Sequence, residues 1–279
     1  VGSLAGIPVI SGLVNASNKS GLGRKMLASV LGIHPDARVP EYHSNTLRKQ
    51  LADKRNRQAD GEPAGATTGK VALFTTCYNN VNEPDIGMDL VAVFEHNGIP
   101  ITIPNKEKCC GMPKLELGNL EAVQAAKEAS LPVLEKLVDD GWDIVAPIPS
   151  CVLMFKQELP LMFPDDAAIQ KIKQHIFDPF EYLMIRHKHG KLNTEFKQSL
   201  GTVAYHAPCH QRVQNIGQKT REMLSLIPDT KVEIIERCSG HDGTYAVKKE
   251  SYEYSMKIVR PVVNKVKQTK ADHYGSDCP

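Results

Sequence analysis

The chain has 279 residues, of which 41% are hydrophobic and 24% are charged, as in ordinary globular proteins. Its formal net charge of +2 gives no reason to expect a nucleic-acid partner. No apolar run approaches the ~20 residues that a membrane-spanning helix needs, and no secretory signal is visible. Because the chain begins with Val1 rather than Met, we expect it to be a fragment of a longer protein.

Residues 1–69 are interpreted as an N-terminal extension and linker. The pattern predicts a short helix over 24–31 and a linker rich in Gly, Pro, Ala and Thr over 58–69. The basic stretch 48–57 indicates a solvated face, with docking on an acidic partner or an anionic membrane as the alternative. A turn is predicted at Asn15, Asn18, Ser20 and Gly21.

From residue 70 onward the pattern becomes regular. Short β-prone runs alternate with helical periodicity, which predicts strands over 71–76, 99–103 and 142–146 and helices over 86–97 and 120–139. Further helical stretches cover 151–163 and 171–189, the second broken or kinked at Pro179. A β-α-β-α-β order predicts a parallel sheet with right-handed crossovers, and we assign it to a first domain, 70–195.

The same order then starts again. Strands are predicted over 202–206, 232–235 and 271–274, with helices over 219–226 and 245–266, the latter kinked or broken at Pro261. The fold prediction is therefore α/β, with two tandem, pseudo-repeated βαβαβ units that carry helices on the faces of parallel sheets. We assign the second domain to 196–279 and expect it to be degenerate and incomplete at its C-terminal end.

The seven cysteines all follow predicted strands. In the first unit Cys77 lies 32 positions before Cys109, and Cys110 lies 41 positions before Cys151. The second unit repeats these gaps as 29 positions from Cys209 to Cys238 and 39 from Ser239 to Cys278. An odd number of cysteines without a secretory signal argues against a disulfide framework and for metal or redox chemistry.

This placement predicts where the thiols meet. Ligands of open parallel α/β sheets gather at the carboxyl ends of the strands, so each unit's cysteines should converge on one point above its sheet. Thiolates are soft ligands that suit iron–sulfur clusters or zinc. Gly111 and Gly240 follow the central motifs, where glycine permits positive φ and lets backbone N–H groups approach sulfur.

The motifs resemble the CCG (cysteine-rich) domain family of heterodisulfide reductase-like iron–sulfur proteins. That family's pattern is one Cys, a gap of some thirty residues, Cys-Cys-Gly, a similar gap and Cys-x-x-Cys, and it usually occurs twice. Within the family, the nearest likeness is to the iron–sulfur subunit of anaerobic glycerol-3-phosphate dehydrogenases. The segments that carry the resemblance, which extends over about residues 70–279, are 76–78, 108–113, 149–151, 206–210 and 237–243.

The sequence departs from this pattern at three positions. The first cysteine of the terminal Cys-x-x-Cys is replaced by Ile148 in the first unit and Gly275 in the second, and Ser239 replaces the second cysteine of the central pair. The five-cysteine set tied to the family's non-cubane cluster is therefore absent. The resemblance implies four ligands in the first unit, enough for a 4Fe–4S cluster: Cys77, Cys109, Cys110 and Cys151. In the second unit it implies three: Cys209, Cys238 and Cys278.

A cluster in the second unit needs a fourth ligand or has an open iron. His206, His210 and His241 are candidates, each of which could instead be only a hydrogen-bonding neighbour. We prefer His241 as the metal ligand because it lies two residues beyond Ser239 in a glycine-rich turn. Arg212 and Asp242 are polar residues near the motifs, interpreted as solvated or ion-paired side chains.

The resemblance implies an iron–sulfur electron-transfer protein of an oxidoreductase complex with one or two clusters, expected to be 4Fe–4S. It would relay electrons from a flavoprotein dehydrogenase, of the glycerol-3-phosphate or 2-hydroxyacid type, toward membrane quinone or a membrane-anchoring subunit. We expect a cytoplasmic location, with peripheral attachment to the inner face of the cell membrane as a variant. The alternatives are a cluster-based reductase of a disulfide or similar substrate, and a zinc-binding structural protein.

Overall fold

The computed structural model describes residues 7–105, 107–241 and 243–278. Asp242, which the sequence places near the second cysteine motif, lies outside the described residues. Two separate sheets of parallel strands form the framework, one with four strands and one with three. The division of the chain at residues 69 and 195 stays a prediction.

The N-terminal segment is more ordered than the sequence suggested. It forms α1 (Pro8–Lys19), α2 (Gly21–Val30), α3 (Leu47–Gln50) and a 3₁₀ turn (Ala52–Lys54). The expected turn is right at Ser20, where the chain bends between α1 and α2, and wrong at Asn15 and Asn18, which lie inside α1. The Asn15 side chain exchanges two hydrogen bonds with the backbone of Tyr42, at 2.8 and 2.9 Å. The asparagine therefore holds a distant segment of the chain rather than turning its own backbone.

The first sheet has the strand order β2-β1-β3-β4. Its strands are β1 (Val71–Leu73), β2 (Ile101–Thr102), β3 (Asp143–Val145) and β4 (Ile176–Phe177), all parallel. The fourth strand was not predicted. It falls inside the expected helical stretch 171–189, whose predicted break at Pro179 is confirmed. Asp178 takes an extended conformation before the proline and caps the second helix.

Helices cover both faces of this sheet. They are α4 (Cys77–Val81), α5 (Pro84–His96), α6 (Met112–Leu115), α7 (Leu120–Asp139), α8 (Pro149–Leu153), α9 (Leu159–Met162), α10 (Ala167–His175) and α11 (Pro179–Lys188), with a π-helical turn (Met154–Glu158) between α8 and α9. Alternate strand residues face opposite sides, so Ile144 packs with α7 and α10 while Val145 packs with α5 and α11. Leu47 of α3 and Leu51 at the C-terminal end of α3 are fully buried in the core that contains Val145.

The second sheet repeats the arrangement of the first. Its strands β5 (Gly201–His206), β6 (Thr230–Ile235) and β7 (His273–Ser276) are parallel and ordered β6-β5-β7, which matches the order β2-β1-β3. The helices are α12 (Cys209–Arg212), α13 (Lys219–Leu224) and α14 (Tyr252–Thr269), and α14 runs through Pro261. The predicted α/β fold with two pseudo-repeated parallel-sheet units is confirmed.

The N-terminal segment contacts both units. Arg55 forms a parallel bridge to Ile103 beside β2, while Ile33 forms an antiparallel bridge to Lys248 in the second unit. The ring of His34 stacks on Tyr252 of α14 with 3.9 Å between ring centroids. The segment therefore joins the two units at their surfaces.

Candidate metal centre

The first unit brings its four cysteines together at the carboxyl end of the sheet. Cys77 is the first residue of α4, which follows β1, and Cys151 lies in α8, which follows β3. Cys109 and Cys110 lie in the loop between β2 and α6, directly before Gly111, whose φ of 96° few other residues adopt. The strand ends thus place the cysteines as the sequence predicted.

The four thiol groups form a continuous chain of hydrogen bonds. Cys77 and Cys110 both donate to Cys109, and Cys110 also interacts with Cys151. Cys110 and Cys151 are only 4% and 5% exposed, whereas Cys77 reaches the surface. These donors lower the pKa of Cys109 well below its usual range, and the same bonds raise the pKa values of Cys77 and Cys110.

The second unit has three cysteines at the corresponding strand ends. Cys209 begins α12 after β5, Cys238 follows β6, and Cys278 follows β7. Cys209 and Cys238 are exposed, while Cys278 is half-buried. Burial, together with the nearby Cys209 and Asp277, raises the pKa of Cys278 to about 11.

A glycine N–H points at a cysteine sulfur in both units. Gly111 donates its backbone N–H to Cys109, and Gly240 donates to Cys238 at 3.4 Å. A Cβ atom at Gly240 would stand 2.5 Å from the carbonyl oxygen of Ser255, so glycine is required there by space as well as by its φ of 70°. The repeated bond shows that the two loops are built alike.

Cysteines of both units line one shared cavity. The cavity has a volume of about 230 Å³ and is lined by Cys77, Cys110, Cys151, Cys209 and Cys278. The units meet through α8 and α12, where His210 lies 3.1 Å from the Ser150 hydroxyl and the Gln214 amide donates to the Pro149 carbonyl at 3.1 Å. This contact turns the carboxyl ends of the two sheets toward each other.

A wider cavity of about 1210 Å³ adjoins the first one. The two share the wall residues Tyr78, Ser239, His241 and Gly243. The far wall comes from the N-terminal segment, which contributes among others Asn15, Arg38 and Glu41. The segment therefore forms one side of a cavity that adjoins the one lined by Cys209 and Cys278.

The three candidate histidines differ in their surroundings. His206 has both ring nitrogens engaged, at 2.8 Å from the Arg237 carbonyl and 3.3 Å from the Ser276 hydroxyl. His210 uses Nδ1 toward Ser150, and His241 is exposed and lines the shared cavity beside Ser239. Of the three, His206 is the least suited to bind metal, and the role of His241 as a ligand stays a prediction. Arg212 is exposed at the end of α12.

Sequence reasoning missed Glu116, a carboxylate at the shared cavity. This residue of the first unit follows α6 and lines the cavity opposite the second cysteine set. Its charge contributes to the raised pKa of Cys278, and a Cβ atom on Gly243 would lie 2.7 Å from Oε2 of Glu116. No cysteine motif marks this position, so only the packing of the two units reveals it.

A buried network lies behind Cys278 and also joins the units. The Gln211 amide donates to Asp277 at 2.7 Å and to Asp178 at 3.2 Å, and Tyr205 and Thr220 donate to Asp277 at 2.5 Å each. Burial, followed by the charge of Asp277, raises the pKa of Asp178 to about 7. The network thus holds two carboxyl groups close together and away from water.

The donor set of the first unit fits an iron–sulfur group. It supplies four soft sulfur ligands on three converging loops, with a backbone N–H already aimed at one sulfur. Within the described ranges no three His, Cys, Asp or Glu side chains form a group that would hold a single metal ion.

The sequence profile of the cysteine-rich CCG domain matches the chain twice, over residues 71–156 and 203–279. The chain belongs to the CCG cysteine-rich domain family. The two matches coincide with the two cysteine-bearing sheets. The predicted resemblance to this family is therefore confirmed.

Several CCG relatives are similar over most of the chain. An anaerobic glycerol-3-phosphate dehydrogenase subunit from Escherichia coli strain K12 is 27% identical over 268 residues, which cover 95% of this chain and 65% of that protein. Lactate utilization protein A is 31% identical over 218 residues in Bacillus cytotoxicus and 32% over 215 in Bacillus cereus strain G9842. Each of these two matches covers 75% of this chain and 87% of the relative. This CCG chain thus spans less than two thirds of the dehydrogenase subunit.

In the part of the CCG chain that the structure describes, no helix is both long and apolar enough to cross a bilayer.

Proposed function

We propose that this chain is an iron–sulfur electron-transfer component of an oxidoreductase complex. The observation that carries the proposal is the contact among the four first-unit thiols at the carboxyl ends of three strands. Cys77, Cys109, Cys110 and Cys151 would hold a 4Fe–4S cluster, which supplies one-electron transfer when bound. The Gly111 N–H would stabilise the negative charge on the Cys109 sulfur and so raise the reduction potential.

The second unit would hold a second cluster less tightly. Cys209, Cys238 and Cys278 supply three thiolates, and Ser239 stands where the repeat has a fourth. His241 lines the same cavity and would be the fourth ligand. Two of the three thiols are exposed, so this site would lose iron before the first one does.

The shared cavity supports electron transfer between the two sites. Cysteines of both units line one space of about 230 Å³, so the two sites face each other across it. The first-unit residues Tyr78 and Glu116 border the second site directly. Electrons that arrive at one cluster would therefore pass to the other within the chain.

The relatives support a dehydrogenase as electron donor. Their names point to glycerol-3-phosphate dehydrogenase and to lactate utilization. We infer a partner flavoprotein dehydrogenase that oxidises glycerol-3-phosphate or a 2-hydroxyacid, and electron flow onward to membrane quinone. The chain would then work in the cytoplasm at the inner face of the cell membrane.

A second candidate function is reductive cleavage of a disulfide at the second site. It is favoured by the wider cavity, which reaches the second cysteine set at Ser239 and His241. Two electrons from the clusters and two protons would convert one disulfide into two thiols. Turnover of a disulfide with an artificial reductant in place of the dehydrogenase would distinguish this function from simple electron relay.

The electron-transfer proposal is tested by mixing the iron-loaded protein anaerobically with a flavoprotein dehydrogenase of each type and its substrate. We expect glycerol-3-phosphate or lactate to reduce the clusters, and EPR spectroscopy monitors this reduction. The matched control is Cys110→Ser, which removes one first-unit thiol and should abolish reduction of that site. If neither substrate reduces the clusters while dithionite does, the proposed donors are wrong.

A further inference from the structure

A buried carboxylate lies two residues before Cys109. Glu107 is 8% exposed, and its Oε1 accepts hydrogen bonds from both the backbone N–H and the hydroxyl of Thr75, at 3.2 and 2.5 Å. Thr75 lies two residues before Cys77 in the neighbouring loop. Glu107 therefore ties the loop that follows β1 to the loop that follows β2.

The cationic partner of this carboxylate comes from the N-terminal segment. The Arg48 guanidinium forms an ion pair with Glu107 Oε1 and also donates to the carbonyls of Pro104 and Glu107, both at 3.4 Å. The backbone N–H of Arg48 donates to the Asn80 side chain in α4 at 3.1 Å. Arg48 lies between the Thr46 cap of α3 and the buried Leu51, so its position is fixed.

The bonds hold a strained stretch of backbone in place. Thr76, between Thr75 and Cys77, has φ 57° and ψ 161°, a conformation that a β-branched residue rarely adopts. Such a conformation persists only where surrounding contacts over-determine it. Two contacts hold this stretch. Glu107 accepts the hydrogen bonds of Thr75 before Thr76, and the Thr76 hydroxyl accepts from the N–H of Asn79 at 3.1 Å.

Within the described part of the chain, the carboxylate of Glu107 depends on Arg48 alone for its charge balance, and its hydrogen bonding is incomplete. Oε2 of Glu107 is buried without a hydrogen-bond partner among the described residues, and Arg48 is the one cation paired with this carboxylate there. A buried carboxylate that loses its cation becomes an uncompensated negative charge beside Cys109. The pair therefore bears on both the shape and the electrostatic potential of the first cysteine site.

We propose that Arg48 and Glu107 form a charged brace that positions Cys77 against Cys109 and tunes the potential of the group these cysteines hold. The inference rests on the proposed iron–sulfur function for its redox part only. Removal of the cation leaves net negative charge near the site and makes reduction harder. Removal of the carboxylate leaves net positive charge and makes reduction easier, while removal of both restores the balance.

The test compares the iron-loaded protein with Arg48→Met, Arg48→Lys, Glu107→Gln and the Arg48→Met/Glu107→Gln double variant. We expect the midpoint potential of the first cluster to fall in Arg48→Met, to rise in Glu107→Gln and to return toward the parent value in the double variant. Arg48→Lys keeps the positive charge, so its midpoint potential should stay close to that of the parent protein. Arg57→Met, in the same basic stretch with a side chain 48% exposed, is the matched control and should change neither the potential nor the alkylation rates.

A second readout needs no iron. In the protein without a cluster, Arg48→Met should speed alkylation of the half-buried Cys109 about tenfold, equivalent to ~1.4 kcal/mol of easier local opening. Cys209 and Cys238, counted by mass spectrometry in the same sample, are internal controls and should react at the parent rate. The brace is disproved if Arg48→Met leaves both alkylation and potential unchanged, or if both single variants shift the potential in the same direction. If the parent protein takes up no iron, the proposed function fails while alkylation still decides on the brace.

Discussion

The ring of His210 in the second unit lies 3.1 Å from the hydroxyl of Ser150 in the first. Each is the immediate sequence neighbour of a cysteine, Cys209 and Cys151 respectively. The interface between the units is thus made by the same loops that carry the candidate ligands. This arrangement explains why cysteines of both units line one cavity.

The shared cavity predicts that two bound clusters interact magnetically. When both are reduced, we expect the EPR spectrum of the parent protein to be broadened by spin coupling. Cys209→Ser should remove the second cluster and leave a sharper signal from the first. A parent spectrum equal to the sum of two isolated signals would contradict the shared site.

Ser239→Cys should strengthen the second site. The substitution restores the fourth thiol of the repeat at a position that already lines the cavity, between Cys238 and Gly240. We expect more iron and sulfide per chain and slower loss of iron to a chelator. Ser239→Ala is the control of similar size and should not increase iron content. An unchanged iron content in Ser239→Cys would argue against metal at this site.

The buried Asp178 predicts an unusual dependence of stability on pH. Its pKa is raised to about 7 by burial and by Asp277, so the folded protein keeps a proton that the unfolded chain releases near pH ~4. The stabilisation is complete below pH ~4 and is lost as pH rises to ~7, by on the order of 4 kcal/mol. Denaturant titrations across this range measure the slope.

Asp178→Asn should flatten that slope while it keeps an oxygen to cap α11. Asp178 Oδ1 accepts from the N–H groups of Phe180 and Glu181, at 2.9 and 3.3 Å, and an amide oxygen can do the same. Asp165→Asn, at an exposed carboxylate, is the control and should leave the slope as in the parent. An identical slope in Asp178→Asn would show that other groups govern the pH dependence.

Leu51 tests whether the N-terminal segment is part of the folded core. The side chain is fully buried with Val71, Phe94 and Ile103, so Leu51→Ala should lower the free energy of unfolding by about 2–5 kcal/mol. Leu13→Ala, at a side chain 67% exposed on α1, should cost less than about 0.5 kcal/mol. Equal effects of the two substitutions would mean that residues around Leu51 act as a mere linker.

Local pattern predicted much of this architecture. Helix α7 runs from Leu120 to Asp139 as expected, because its apolar spacing is bounded by the Asn119 cap and by Gly141. The position of the cysteines at the strand ends could be predicted because parallel strands bring their carboxyl ends to one edge of the sheet. Strand β4 was missed because two residues, Ile176 and Phe177, are too few to show any periodicity.

Features that depend on distant residues were not predictable. Arg48 and Glu107 are 59 positions apart, and neither pattern nor charge indicates that they pair. The shared cavity depends on how two sheets dock, which the repeat alone does not specify. Glu116 belongs to one unit and borders the cysteines of the other, so its place at the site follows from that docking.

The most direct test of the central claim is the metal content of protein purified anaerobically and reconstituted with iron and sulfide, followed by EPR of the reduced sample. We predict a coloured protein with about equal iron and acid-labile sulfide and a 4Fe–4S signal that Cys110→Ser removes without unfolding the chain. A colourless protein, or one that holds zinc without sulfide, would contradict the account.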